Sequence, residues 1–205
     1  MLEKPQILAD THFTYAAERF EQSPISLQLT ALADKVFPWL ALDKHQHWLD
    51  FGAGTGALSV PLAAHVEQVT ALDTSAAMLA KLTAKNVENI TTLEQDIFYG
   101  LSDTYAGVIS SMALHHVADI PQLLSCMHQC LEDGGQLALI DLYSEDGSFH
   151  GDNLAKGVVH FGFDPQQLLE EAAKAGFKHL SCREIFNIEH KNGNSYPIFL
   201  LLGRA

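Results

Sequence analysis

The sequence predicts an α/β protein in which a parallel sheet is covered by helices on both faces. Short apolar strands alternate with helix-like segments from Trp48 to Leu142, and parallel strands need such crossover connections. A glycine-rich turn follows the first of these strands, and the pair Asn192-Gly193 is typical of a β-hairpin. A length of 205 residues suits a single domain, because domains usually run about 100–200 residues.

The amino-terminal part, residues 1–44, contains no strand-like run and predicts two helices. The first covers Thr14–Gln22, and the second covers Ser26–Leu40, where apolar residues recur at helical spacing. Pro24 separates the two segments. Pro38 lies where the second helix should end or kink, since proline has no backbone donor.

Five strands alternate with helices in the central part of the chain. The predicted strands are Trp48–Phe51, Val69–Leu72, Ile90–Leu93, Val108–Ser111 and Gln136–Leu142. We expect helices over Ala57–His65 and Ile120–Leu131, and a further one that contains Met78, Leu79 and Leu82 and that Thr74 or Ser75 can cap.

The carboxyl-terminal part begins with residues 143–163, which are rich in glycine, show no clear period and predict an irregular insertion. Asp164-Pro165 should start a helix that Gly176 ends. The strands Leu180–Ile188 and Tyr196–Leu202 then flank the hairpin turn.

The charge balance argues against a nucleic-acid partner. Twelve Lys and Arg residues stand against twenty-five Asp and Glu residues, which gives a formal net charge of −13. Such a field repels phosphate backbones and anionic lipids, and no compact cluster of Lys and Arg offsets it. A small neutral or cationic ligand is compatible with this charge.

The sequence also predicts a cytoplasmic protein without a membrane span. No stretch approaches the ~18 apolar residues that a spanning helix needs, and residues 1–5 lack the apolar core of a secretion signal. Cys126, Cys130 and Cys182 are an odd and sparse set, which disfavours a disulfide framework and suits a reducing compartment.

The sharpest chemical signal is the turn after the first strand. Gly52, Gly54 and Gly56 follow Asp50, and their lack of a Cβ lets the backbone approach a ligand closely. The helix that comes next presents unpaired N–H groups at its start. An ordinary glycine-rich strand-to-helix turn is the simpler alternative.

Two more acidic residues follow the second and third strands. Asp73 can accept hydrogen bonds from both ribose hydroxyls of a nucleoside. Asp96 precedes Ile97, a pairing that suits the exocyclic amine and the face of an adenine. A surface acid or a helix cap remains the alternative for each carboxylate. Open α/β sheets bind ligands at the carboxyl ends of their strands, where all these residues fall.

Two cofactors fit this pattern. The segment from Gly52 to Ala57 formally satisfies a dinucleotide fingerprint. However, Asp50 would place negative charge near a pyrophosphate, and the chain closes with a hairpin instead of another βαβ unit. S-adenosylmethionine carries no phosphate, and its ammonium and sulfonium suit an acidic site.

The sequence resembles the class I S-adenosylmethionine-dependent methyltransferases, especially the small-molecule branch near the ubiquinone and menaquinone biosynthesis enzymes. The residues that carry the resemblance span about residues 45–145 and are Leu49-Asp50-Phe51-Gly52-Ala53-Gly54-Thr55-Gly56, Ala71-Leu72-Asp73-Thr74-Ser75 with Met78-Leu79, Gln95-Asp96-Ile97 and Ser110-Ser111-Met112-Ala113-Leu114-His115-His116.

The resemblance implies a Rossmann-like, doubly wound seven-stranded sheet with an antiparallel last strand. It implies that one methyltransferase domain covers residues 1–205, with residues 1–44 as a helical lid and residues 143–163 lining the substrate site. The implied cofactor residues are Asp50, Gly52, Gly54 and Gly56 near the methionine moiety, Asp73 on the ribose with Thr74 directly after it, Met78, Asp96 and Ile97 at the adenine, and Ser111 at the amino-acid part.

Three further residues are candidates for the acceptor site. Tyr15 belongs to a segment that is similar to the family's amino-terminal opening, and an aromatic ring there could exclude water. His116 and His160 could take a proton from an acceptor, because imidazole titrates near neutrality. Tyr15 could instead anchor a helix, and either histidine could simply fill a pocket wall.

No metal site is expected. His115 and His116 are adjacent, so their side chains should point in different directions, and the remaining histidines show no recognised ligand spacing. Cys126 and Cys130 fall within one predicted helix, where core packing is the simpler explanation.

The sequence thus predicts transfer of a methyl group from S-adenosylmethionine to a small-molecule acceptor by in-line displacement. An NAD-dependent oxidoreductase and a non-catalytic S-adenosylmethionine-binding protein are the alternatives. The acceptor, the methylated atom and any catalytic base are not identified by the sequence.

Overall fold

The computed structural model describes residues 20–205, whose strands form one seven-stranded sheet. The strands are β1 (His47–Phe51), β2 (Gln68–Asp73), β3 (Ile90–Glu94), β4 (Tyr105–Ser111), β5 (Leu131–Leu142), β6 (Lys178–Glu189) and β7 (Ser195–Arg204). Their order in the sheet is β3-β2-β1-β4-β5-β7-β6. Strands β1 to β5 pair in parallel, whereas β7 is antiparallel to both of its neighbours. The predicted architecture is confirmed.

Six α-helices connect or precede the strands in the described part of the chain. They are α1 (Pro24–Leu29), α2 (Leu32–Val36), α3 (Ser59–Ala63), α4 (Ala76–Thr83), α5 (Ile120–Gln129) and α6 (Pro165–Lys174). Short 3-10 turns cover Phe20–Gln22, Phe37–Trp39, Ile97–Tyr99 and Leu114–His116. None of the helices described here is long and apolar enough to cross a bilayer.

The predicted single helix over Ser26–Leu40 is wrong. The segment divides into α1, α2 and a 3-10 turn. The break follows Thr30, whose hydroxyl donates to the carbonyl of Leu27 at 2.7 Å and so competes with the helical ladder. Pro38 forms part of the 3-10 turn, where its missing N–H costs less than in a helix interior. Of the predicted helix over Thr14–Gln22, only Phe20–Gln22 lies within the described residues.

The sheet is buried on both faces because alternate side chains of each strand enter different cores. Leu49 and Leu139 pack with residues of α5 and α6 on one face. Trp48 and Ile140 pack with residues of α1, α2 and α3 on the other. The buried strands are therefore mainly apolar on both faces, with Asp50, Ser110 and Asp141 among the buried polar exceptions.

The order of the strands determines where a ligand can bind. The chain passes from β1 to β2 and β3 on one side, and it later returns to β4 and β5 on the other side. The crossovers after β1 and β4 consequently diverge and leave a crevice at the carboxyl ends of these two strands. The glycine-rich turn, Asp73 and the segment after Ser111 all lie at this edge.

Candidate functional site

The turn after β1 is built from three glycines with left-handed backbone. Gly52, Gly54 and Gly56 have φ angles of 67°, 54° and 87°. A Cβ at Gly52 would lie 2.3 Å from the Cβ of Ala113, and one at Gly56 would lie 2.3 Å from Leu82 Cδ1. A Cβ at Gly54 would have no such neighbour within 4 Å. The turn is thus packed against protein at both ends and open in its middle.

Asp73 holds this turn in place from the end of β2. Its Oδ2 accepts the N–H of Gly54 at 2.8 Å, and its Oδ1 accepts the N–H of Ser75 at 2.8 Å. Burial raises the pKa of this carboxyl, and the N–H groups of Ser75 and Gly54 partly oppose the shift. Each oxygen retains a second lone pair, so the carboxylate can also accept hydrogen bonds from a ligand.

Asp50 lies behind the same turn in the interior of β1. Its side chain is 2% exposed, and its Oδ2 accepts a hydrogen bond from the Ser59 hydroxyl at 2.5 Å. Burial raises the pKa of Asp50 to about 7; the Ser59 hydrogen bond lowers it, and the nearby negative charge of Asp73 raises it further. A cation bound near the turn would favour the ionised carboxylate.

Asp96 lies beyond the end of β3, next to Asp73. Strands β2 and β3 pair at Asp73 and Glu94, which places Asp96 just past the neighbouring strand. Its Oδ1 accepts the N–H of Phe98 at 3.0 Å and caps the 3-10 turn that follows. Ile97 is 2% exposed and belongs to the core beneath the sheet edge.

The start of α4 contributes the remaining predicted residues on this side. Ser75 caps the helix, and its Oγ accepts the N–H of Met78 at 3.4 Å. Thr74 is exposed, whereas Met78 is only 2% exposed. Of the two predicted capping residues, the structure selects Ser75 and leaves Thr74 open to solvent beside Asp73.

The end of β4 flanks the glycine turn on the other side. Phe51 and Ser110 pair across β1 and β4, so Ser111 lies level with the beginning of the turn. Met112 then takes a φ of 56°, and its N–H donates to the carbonyl of Ile140 at 2.9 Å. This left-handed residue turns the chain into the 3-10 segment that carries His115 and His116.

A buried pair, His115 and Asp141, joins β4 to the end of β5. The Nδ1 of His115 lies 2.7 Å from the Oδ1 of Asp141, and the two side chains are 1% and 0% exposed. The backbone N–H of His115 also donates to Oδ2 of Asp141 at 3.3 Å. The carboxylate therefore determines the orientation of the imidazole and of its backbone.

Two further histidines surround His115. Its Nε2 lies 3.0 Å from the Nε2 of His150, and its ring centroid lies 4.2 Å from that of His116. The Nδ1 of His116 lies 3.1 Å from the carbonyl oxygen of Gly157. The expectation that the adjacent side chains of His115 and His116 point in different directions is therefore wrong, because the 3-10 turn brings their rings together.

The segment 143–163 is irregular, as predicted, and is tied to the same turn. The N–H groups of Val159 and His160 both donate to the carbonyl of His115, at 2.9 and 3.1 Å. The Nε2 of His160 lies 2.9 Å from the carbonyl oxygen of Val117. His160 is thereby held by backbone, near His116 but outside the histidine cluster.

The structure brings the glycine turn, Asp50, Asp73, Asp96 and Ser111 to one sheet edge. It adds Asp141, which sequence reasoning missed, and His115 and His150, for which the sequence predicted no role in the site. Asp141 could have been noticed, since it stands near the end of a buried strand as Asp73 does. The prediction for Tyr15 lies outside the described residues.

Comparison with known proteins gives the family. A methyltransferase-domain profile matches residues 17–182. A methyltransferase of Schizosaccharomyces pombe, itself uncharacterised, is 31% identical over 140 residues, which cover 59% of this chain and 49% of that protein. Trans-aconitate 2-methyltransferase of Deinococcus radiodurans is 36% identical over 104 residues, which cover 50% of this chain and 40% of that enzyme. The chain thus spans about half the length of the curated relatives it matches.

The fold has solved counterparts. The structure of a DhpI–SAH complex superposes with a TM-score of 0.76 at 19% identity and covers 97% of this chain and 95% of that one. At this identity the similarity concerns the fold, and it extends over the whole sheet with its terminal hairpin.

Proposed function

The chain belongs to the methyltransferase-domain family, and from that premise we propose that it transfers a methyl group from S-adenosylmethionine to a small-molecule acceptor. The observation that carries the proposal is the glycine turn, which Asp73 holds by a 2.8 Å hydrogen bond to Gly54 while its middle remains open. This is the geometry that a nucleoside needs in order to approach bare backbone.

The hydrogen-bond acceptors at this edge of the sheet fit the adenosyl part of the cofactor. Asp73 presents free lone pairs on both carboxylate oxygens at the end of β2, where a ribose diol can donate to them. Asp96 retains Oδ2 beside the same edge, since its cap to Phe98 uses Oδ1. We assign Thr74, Met78 and Ile97 to the same side, with Met78 and Ile97 supporting the adenine from below.

The charge of the site fits the cofactor's methionine part. Bound S-adenosylmethionine supplies an electrophilic methyl on a positively charged sulfur. Asp50 and Asp73 place two carboxylates around the turn, and Gly52, Gly56 and Ser111 bring backbone to its two ends. These groups hold the cation in a fixed orientation, and alignment of this kind is the main contribution that an enzyme makes to an in-line displacement.

The acceptor is expected beside the histidines. His116 and His160 both lie where the irregular segment 143–163 is tied to the end of β4. We propose that two parts of the single domain cover the acceptor: this segment, and residues 1–44 with Tyr15.

The class of acceptor is proposed from charge and from a relative. The net charge of −13 disfavours nucleic acid, and the trans-aconitate enzyme shows that a relative methylates a small molecule. Three free cysteines favour a cytoplasmic location.

The proposal is tested by calorimetric titration of the purified protein with S-adenosylmethionine, S-adenosylhomocysteine and NAD. We expect the first two to bind and Asp73→Ala to weaken both. Incubation with isotopically labelled methyl donor and a metabolite extract should then give a labelled small molecule. Binding of NAD alone would overturn the proposal in favour of an oxidoreductase. Tight cofactor binding without any labelled product would indicate a binding protein instead.

A further inference from the structure

We propose that His115, His116 and His150 together bind one divalent transition-metal ion of the zinc class at the carboxyl edge of the sheet. Each histidine offers one ring nitrogen, and these nitrogens all lie within 4.8 Å of one another. The metal site itself is independent of the proposed methyl transfer.

The spacing of the two closest nitrogens suits a shared ion. In tetrahedral zinc sites the metal–nitrogen distance is about 2.0–2.1 Å, so two ligand nitrogens lie about 3.3 Å apart. The Nε2 atoms of His115 and His150 are 3.0 Å apart. An outward shift of a few tenths of an ångström would accommodate the ion between these two atoms. The His116 nitrogen, within 4.8 Å of them, would move inward by up to about 1.5 Å to reach the same spacing.

The tautomers of two ligands are already set for coordination. The Nδ1 of His115 lies 2.7 Å from an Asp141 carboxylate oxygen, and the Nδ1 of His116 lies 3.1 Å from the carbonyl oxygen of Gly157. Both partners are acceptors, so each Nδ1 carries the proton and each Nε2 has the lone pair that a metal requires. The lone pair of His115 accepts the Nε2 proton of His150, and a bound ion would displace this proton. Metal-ligating histidines commonly donate their other ring N–H to a carboxylate or a backbone carbonyl in this way.

The chemistry and burial of the ligands select the ion. Three neutral imidazoles suit zinc, copper, nickel or cobalt, whereas magnesium and calcium prefer oxygen ligands. His115 is 1% exposed and the ring of Phe149 packs beside His150 with centroids 4.8 Å apart, which shields one side of the cluster from water. Three protein ligands leave a fourth position for water or a substrate atom.

The fourth coordination position of the ion lies where we expect the acceptor to bind. The chemical role of the ion therefore rests on the proposed function. His115 and His116 follow the end of β4, and His150 belongs to the segment that we assign to the acceptor. An acceptor with a hydroxyl or thiol could place its oxygen or sulfur on the ion. Coordination would release the acceptor's proton to solvent and leave a lone pair to attack the methyl group, while the methyl–sulfur bond breaks and its electron pair remains on the sulfur.

The test uses the full chain, freed of metal by chelation and without methyl donor. Calorimetric titration with zinc sulfate should give one site per chain, and cobalt(II) should give the visible absorption of a four-coordinate ion. His150→Ala and His116→Ala should each weaken zinc binding at least tenfold. Asp141→Asn should weaken it about 10- to 100-fold, the usual effect of removing a carboxylate partner from a ligand histidine.

The control is His45→Ala, because His45 is exposed and lies outside the cluster. It should leave zinc binding unchanged. Circular dichroism melts check that each variant folds, and two different ligand variants keep the test valid if one does not. Absence of a stoichiometric zinc site, or a site that neither His150→Ala nor His116→Ala weakens, would overturn the proposal. Titration of His150→Ala with S-adenosylmethionine reports on the cofactor site separately, so failure of methyl transfer and failure of metal binding are distinguishable.

Discussion

The N–H of Gly54 donates to the Oδ2 of Asp73 at 2.8 Å, so the acid at the end of β2 fixes the middle of the glycine turn after β1. The other oxygen of Asp73 accepts the N–H of Ser75 at 2.8 Å. One side chain therefore orders two backbone segments at the proposed cofactor site. Its removal should affect folding as well as binding.

Asp73→Ala should weaken S-adenosylmethionine binding by about 1.5–3 kcal/mol, the range for lost charge-assisted hydrogen bonds. We also expect the free energy of unfolding to fall by about 1–3 kcal/mol, because two partly buried N–H groups lose their acceptor. Asp73→Asn should lose less stability, since its amide oxygen still accepts one N–H. Calorimetry and urea denaturation measure the two effects. Asp34→Asn, at an exposed site, is the control; unchanged affinity in Asp73→Ala would contradict the ribose assignment.

Asp50 should make the stability of the cofactor-free protein depend on pH. Its folded-state pKa of about 7 lies above the ordinary 3.8, so the folded state binds the proton more tightly. This contribution is fully present below about pH 4 and is lost as the pH rises through 7. The free energy of unfolding, measured by urea denaturation between pH 5 and 8, should fall less with rising pH in Asp50→Asn than in the unmodified protein. Asparagine keeps an acceptor for Ser59 but does not titrate. Parallel stability curves for the two proteins would show that Asp50 does not titrate in this range.

The same carboxyl should couple cofactor affinity to pH in the opposite direction. A bound cation favours ionised Asp50, so affinity for S-adenosylmethionine should rise with pH up to about 7, by at most about tenfold per unit. Calorimetric titration at pH 6 and 8 measures this rise. In Asp50→Asn the rise should shrink; an identical rise would assign it to another group.

Gly56→Ala should destabilise the fold by more than the backbone conformation alone explains. Its φ of 87° is matched by Gly193 in the β6–β7 hairpin, where a Cβ would have nothing within 4 Å, whereas at Gly56 it would meet Leu82 at 2.3 Å. Gly193→Ala should cost about 1 kcal/mol for strain, and Gly56→Ala should cost about 1–3 kcal/mol more for overpacking. Thermal and urea unfolding compare the two variants. Equal losses of unfolding free energy in the two variants would show that the Leu82 side chain moves aside without an energetic cost.

Gly54→Ala should separate binding from folding. Its methyl group would enter open space, so the stability loss should stay near that of Gly193→Ala. The same methyl would occupy the volume proposed for the cofactor, and affinity for S-adenosylhomocysteine should fall at least tenfold. Calorimetry on both glycine variants gives the comparison. Unchanged affinity for S-adenosylhomocysteine in Gly54→Ala would show that the cofactor does not bind against the middle of the turn.

Local patterns in the sequence determined most of the sheet. Trp48-Leu49-Asp50-Phe51 and the later apolar runs specify strands, and the three glycines specify a turn that side chains would obstruct, because both signals act between neighbours in the chain. The division of the helix at Thr30 was not predicted, since the hydrogen bond of the Thr30 hydroxyl to the Leu27 carbonyl competes locally with the helix and leaves no trace in the apolar period.

Tertiary structure alone decided which polar groups meet. Asp73 reaches Gly54 across 19 residues, Asp141 reaches His115 across 26, and His150 reaches His115 across 35. No periodicity links positions so far apart. The first two contacts result from parallel pairing, which brings the carboxyl ends of neighbouring strands to one edge of the sheet. The third results from the irregular segment 143–163, whose backbone is hydrogen-bonded to the carbonyl of His115 at the same edge.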